Sequence, residues 1–111
     1  MSEKIVTIIS SADAAKARTG IMYTVNALKQ GWLKDAKLFI FGPAEKTLLE
    51  NGAMQKLLQD FQQLEKPAIV CKAVADQEGI AEEISALGFP VEYVGKLISD
   101  SIKDGYTPMV W

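Results

Sequence analysis

Few side chains in this sequence can do chemistry. It has no histidine and a single cysteine, Cys71. Without histidine there is no Ser-His-Asp triad, no Cys-His dyad within one chain, no HExxH zinc site and no imidazole proton shuttle. One cysteine closes no intrachain disulfide, and with neither histidine nor a second thiol it builds none of the usual structural zinc sites. This inventory leads to no expected metal or cofactor, and leaves Cys71 as the candidate nucleophile. It ends an apolar run, Ala68-Ile69-Val70-Cys71-Lys72, and the segment that follows reads as a helix whose first amides would point back toward the sulfur. Amide dipoles and nearby cations lower a thiol pKa from about 8.5 into a range of about 3.5–7.5. Lys72 adjoins the cysteine, although strand alternation sends it to the opposite face unless the chain turns there. Ala73 and Ala75 are small enough to leave the sulfur approachable, and Asp76 suits the positive end of the helix as a capping group. A lone thiolate without a base fits one task, accepting and passing on sulfur by direct attack. The plainer reading of Cys71 is a small buried apolar residue, the usual fate of free cysteine.

Other familiar motifs are incomplete. A dinucleotide site needs G-x-G-x-x-G after the first strand, and no glycine precedes Gly20 there. Gly42-Pro43-Ala44-Glu45-Lys46-Thr47 has the Lys-Thr of a P-loop but lacks its second glycine, so it reads as a helix start with Lys46 in solvent. A phosphate-accepting receiver would want an acidic pair after strand one and an aspartate ending strand three; the chain offers Asp13 alone and Cys71. Glu82-Glu83 and Asp100 to Asp104 read as solvated helix faces. Twelve lysines and arginines against fourteen acids leave a net charge of −2, and only Arg18 is an arginine. Neither a nucleic acid nor a membrane surface is an expected partner.

The elements that must hold these groups alternate strictly. Lys4 to Ser10 is a β-branched run that reads as a buried strand. Ser10, Ser11 and Asp13 offer capping oxygens for a first helix that ends at Gly31 and that Gly20 should weaken or break. A second strand over Ala36–Phe41 meets Gly42-Pro43, where proline suits a first helical turn. The helix from Pro43 is interrupted near Asn51-Gly52 and resumes with Met54, Leu57, Leu58, Phe61 and Leu64 as one apolar stripe. After the strand ending at Cys71 comes one helix burying Ile80, Ile84 and Leu87, closed by Gly88. A fourth strand, Val91–Val94, a short helix over Leu97, Ile98 and Ile102, and a last strand within Tyr106–Trp111 complete the chain. Residues 1–111 therefore predict one α/β domain, a three-layer α/β/α sandwich with a parallel sheet of about five strands. Such sheets bind ligands beyond the carboxyl ends of their strands. That places Ser10 to Asp13, Gly42 to Glu45, Cys71 to Asp76 and Gly95-Lys96 as the regions to search, with Ser10 and Gly42 as supporting positions for a site at Cys71.

The segment Val70-Cys71-Lys72-Ala73-Val74-Ala75-Asp76-Gln77-Glu78-Gly79-Ile80 resembles the stretch around the sulfur-carrying cysteine of the DsrE/DsrF-like (DsrE/TusD sulfur-relay) family. In that family a Val-Cys ends a strand, alanines follow, and Gly-Ile stands where Gly79 and Ile80 stand here. Length and element order agree over nearly the whole chain. Glu78 departs from the pattern, standing where an arginine is usual. The resemblance implies an α/β/α sandwich that assembles as a homotrimer or hexamer. It also implies persulfide sulfur carried on Cys71 between donor and acceptor proteins, with Lys72 and the amides of Ala73 to Asp76 as electrostatic helpers.

A second functional class stays open beside the carrier, an oligomeric binding or scaffold module with an inert Cys71. Its motive is the late aromatic load of Phe89, Tyr93, Tyr106 and Trp111, which a small domain need not cover entirely. Trp32 and Tyr23 could stack on a flavin-like ring, but anchoring the first helix against the sheet is the simpler use of both. The unpaired thiol suits a reducing compartment, and the run from Ile5 to Ile9 is too short for a signal-peptide core or a membrane span. The expectation is a cytoplasmic protein.

Overall fold

The computed structural model describes residues 3–111. The β-branched opening run forms β1 (Lys4–Ile9), and Asp13 starts α1 (Ala14–Lys29) by accepting from the amides of Ala15, at 2.9 Å, and Lys16, at 3.3 Å. β2 (Asp35–Ile40) leads into α2 (Ala44–Glu50), and the expected interruption falls at Asn51, whose side chain caps α3 (Gly52–Gln63) through the Met54 amide at 2.9 Å. β3 (Ala68–Cys71) runs straight into α4 (Lys72–Glu78), followed by α5 (Ala81–Ala86), β4 (Val91–Glu92), α6 (Gly95–Lys103) and β5 (Thr107–Val110).

The sheet is parallel throughout, in the order β4-β3-β2-β1-β5, with helices on both faces, so the expected sandwich is present. Three local expectations are corrected. Gly20 does not break α1, which runs continuously past it. The single helix after Cys71 is two, because Gly79 adopts φ +70° and ends α4 before Ile80 enters the core. The fourth strand is only Val91 and Glu92.

The two faces are covered unequally. Against one, α1, α2, α3 and α5 pack a large core around Ile9, Ile21, Leu38, Ile40, Phe61 and Phe89. Within it the hydroxyls of Thr7 and Thr24 meet at 2.7 Å, and Thr24 also donates to the Gly20 carbonyl. The other face carries a small cluster of Val6, Phe39, Cys71 and Val94, roofed mainly by Leu97 and Ile98 of α6. α6 begins beyond the end of β4 and finishes before the start of β5, so it crosses the sheet diagonally from one edge to the other. Nine residues of helix reach about 13 Å, whereas five strands span about 19 Å. Two corners are left uncovered.

The lower ends of the strands are tied by a polar clasp. Asp35 accepts from Lys66 and from the Tyr106 hydroxyl, while Lys4 and Lys37 sit over the Tyr106 ring at 4.6 and 4.8 Å. Burial alone would raise the Asp35 carboxyl; the hydrogen bonds from Lys66 and Tyr106 outweigh it and hold the group below the usual range. The bond to Asp35, with burial behind it, pushes the Tyr106 phenol up to about 12.

Candidate functional site

Cys71 lies where the sequence places it, at the carboxyl end of β3 against the start of α4. Alternation along β3 turns its side chain, with that of Ile69, toward the face covered by α6. There it is 4 % exposed, within the cluster of Val6, Phe39 and Val94. Cys71 itself takes the N-cap position of α4, with φ −67° and ψ 119°, and its side chain makes no capping hydrogen bond. The helix amides that would hold a thiolate are therefore not bonded to this sulfur.

The helpers expected around it are committed elsewhere. The Lys72 amine pairs with Asp76 at 2.9 Å and sits over the Tyr93 ring at 5.9 Å. That hydrogen bond raises the Lys72 amine above its ordinary value. Asp76 is the fifth residue of α4 rather than a first-turn cap, and Ala73 faces solvent. Gly79 and Ile80, which carry part of the family likeness, do local structural work here, one as the left-handed helix end and the other in the core.

Ser10 and Gly42 meet each other instead of Cys71. A Cβ on Gly42 would stand 2.9 Å from the Ser10 Oγ, and the residue's φ of +113° favours glycine on its own account. The Ser10 carbonyl accepts from the Ala44 amide at 3.0 Å, and its own amide donates to the Trp111 carbonyl at 2.7 Å, alongside that of Ser11 at 3.1 Å. The sheet reverses its order between β1 and β5, the switch point where doubly wound folds take their ligands. In this chain Trp111 fills that place.

Glu45 bounds one of the regions the sequence marks for a site, but nothing in the sequence gives it a role of its own. Glu45 is fully buried, and its Oε1 has no hydrogen-bond partner. Its Oε2 accepts from the Gly42 amide at 3.3 Å, the return bond of a capping box that holds the start of α2. Burial pushes its carboxyl up to about 7; the Gly42 bond draws it partly back, and the charge of Glu78 pushes it up again. The glycine-to-glutamate spacing was a visible signal for the cap but not for the burial. Beside it a crevice of about 370 Å³ opens between α2 and α4, bounded by Gly42, Lys46, Val74 and Glu78. Lys46 spans its mouth to Glu78 at 3.1 Å. Glu82 and Glu83 are exposed in the first turn of α5, as expected of a solvated face.

The aromatic residues divide. Phe89 is buried and Trp111 packs on the core, whereas Tyr93 is 65 % exposed. Trp32 does not anchor α1 against the sheet; it is exposed and leans on Tyr23, centroids 6.3 Å apart. Among the described residues no helix is long and apolar enough to cross a membrane.

No family model matches this chain, and no curated protein matches it. Among solved structures it is similar to the conserved protein of unknown function BT1422 from Bacteroides thetaiotaomicron, with 22% identity and a TM-score of 0.81 over 98% of this chain and 95% of the other. What the two share at that identity is the fold.

Proposed function

We propose that this chain is a non-catalytic binding module of the sandwich fold that assembles with copies of itself, with Cys71 serving as core packing. The observation that supports it is the uncovered upper corner of the sheet. Val110 of β5 pairs with Ile8 of β1 on that face, and Phe41 continues β2 beside them; Val110 is 66 % and Phe41 39 % exposed. Apolar neighbours of this kind on a sheet face gain by being covered. Strand addition at the β5 edge is disfavoured because Pro108 offers no amide hydrogen, so contact through the face is the workable mode. The expected result is sedimentation as an oligomer at micromolar concentration, and as a monomer after Val110→Lys together with Phe41→Glu. A wild-type monomer at high concentration would overturn the proposal.

The sulfur-carrier reading is kept by one observation, the position of Cys71 at a strand end beside the crevice residue Val74, together with the resemblance to the DsrE/DsrF-like relay proteins. In that chemistry the Cys71 thiolate attacks the outer sulfur of a donor persulfide R–S–SH. The new S–S bond leaves Cys71 as the persulfide and releases the donor as its thiolate; an acceptor thiolate then takes the outer sulfur in the same way. The buried sulfur predicts slow chemistry. Native Cys71 should resist maleimide at about pH 6 and label only on unfolding. Incubation with glutathione persulfide should leave the intact mass unchanged. Rapid native labelling, with a gain of labile sulfur that Cys71→Ser abolishes, would establish the carrier in place of inert packing.

A further inference from the structure

The crevice between α2 and α4 is held shut by little. Of the seven residues of α4, only Ala75 is buried, and Gly79 ends the helix in the left-handed conformation. An element with so few buried contacts opens at low cost. Lys46 reaches across the mouth to Glu78 at 3.1 Å, and both side chains are exposed. An exposed pair of this kind favours the closed form by roughly fivefold at most.

Glu45 is buried close by, with Oε2 on the Gly42 amide and Oε1 unbonded. A protonated carboxyl can remain in such a place, whereas a carboxylate needs a second donor. The elements packed against α2 are α1, α3 and α4, and none supplies one. Arg18 of α1 donates to the Ala14 carbonyl, Lys56 of α3 is tied to Asp60, and Lys72 of α4 is tied to Asp76. The charge that does act on Glu45 is that of Glu78 on α4, and it has the same sign. Gly42, which binds one oxygen, and Glu78, which repels the charge, both bound the crevice.

We propose that α4 is a proton-controlled flap. With Glu45 protonated it lies closed on α2; release of that proton to solvent parts the two helices, breaks the Lys46–Glu78 pair and lets water reach the carboxylate. Val74 lines the crevice and packs on the cluster that holds Cys71, so the flap opens toward that sulfur, whether Cys71 is inert packing or a carrier. In the open form the carboxyl titrates at its ordinary 4.5 and in the closed form at about 7. The ratio of open to closed therefore rises by up to about 300-fold between those pH values and is level above them. The test compares hydrogen exchange of the wild type and Glu45→Gln at matched pH from 4.5 to 8, which cancels the intrinsic pH dependence of exchange. The readout is α4, because a mere cap at the start of α2 would move α2 alone. The α4 amides should exchange alike in the two proteins near pH 4.5 and at least tenfold faster in the wild type at pH 8. That difference should persist unchanged in about 1 M urea, the mark of a local opening, while β1 keeps the urea dependence of global unfolding. Lys46→Ala should speed α4 exchange by up to about fivefold below pH 5. The proposal fails if α4 exchanges equally in both proteins at pH 8, if the difference is confined to α2, or if it appears only in the urea-dependent exchange shared with β1.

Discussion

Replacing Glu45 with glutamine is expected to stabilise this protein above pH 7 by up to about 3 kcal/mol, and to change little near pH 4. The carboxyl ordinarily titrates at 4.5 and in the fold at about 7. Between those values the native state holds a proton that the unfolded chain has released. Stability therefore falls as pH rises from 4.5 to about 7 and is level beyond it. Glutamine copies the shape of the protonated acid and can still accept from the Gly42 amide, so the two proteins should be matched in acid. Above neutrality the wild type alone carries a buried charge whose one partner is that amide, with Oε1 unsatisfied and Glu78 adding repulsion. Urea denaturation of both proteins from pH 4 to 8 gives the difference curve directly. Carboxyls held below their usual range, such as Asp35, contribute equally to both and drop out of the difference. Parallel curves would show that Glu45 is already ionised in the fold, with a partner for its second oxygen. A capping box accepts glutamine as readily as glutamate. The acid here thus costs stability that the cap does not require, which sets Glu45 and its crevice apart from the rest of the surface.

How much of this was legible beforehand depended on how local each cause is. Buried parallel strands read as continuous β-branched runs whatever surrounds them, so β1, β2 and β3 and their alternation with helices could be placed from the sequence. The Asn51 break and the Asp13 cap were legible because a cap is made within about three residues of the side chain that makes it. The environment of Cys71 is another matter. Its strand-end position follows from the run around it, but its burial is imposed by Val94 and Leu97, which belong to the N-cap and first turn of α6, the fourth element after β3. The capping role given to Asp76 fails because α4 begins at Lys72, directly after β3, which makes Asp76 its fifth residue; there it pairs with Lys72 one helical turn before it. Glu45 is the clearest gap. Its spacing from Gly42 announces a cap, yet its loss of solvent, and so its raised pKa, depends on the fold as a whole. The uneven layers were hidden too, since a nine-residue amphipathic stretch does not reveal which strands it will fail to cover.

Gly20 gives the second large effect, and its sign runs against helix propensity. Alanine in the middle of a helix is favoured over glycine by roughly 0.5–1 kcal/mol, so on α1 alone Gly20→Ala should stabilise. In the fold the new Cβ would stand 2.4 Å from the Trp111 Cγ, and 2.7 and 2.8 Å from two further indole atoms. The ring has little freedom to retreat. Its residue donates to the Ile8 carbonyl at 2.8 Å and accepts from the Ser10 and Ser11 amides, and its ring meets Tyr23 at 6.4 Å. Overpacking at so constrained a site costs typically about 1–3 kcal/mol. Since the contacts here are shorter than any normal van der Waals distance, that term outweighs the propensity gain, and Gly20→Ala is expected to destabilise by about 1–3 kcal/mol. Chemical denaturation followed by tryptophan fluorescence should show the lost stability and an altered native Trp111 signal. The decisive comparison is made in a Trp111→Leu background, where the smaller side chain leaves room for the Cβ. There the same Gly20→Ala change should become neutral or stabilising by about 0.5–1 kcal/mol. Equal effects in the two backgrounds would mean that the glycine serves the backbone of α1 rather than the indole lying against it.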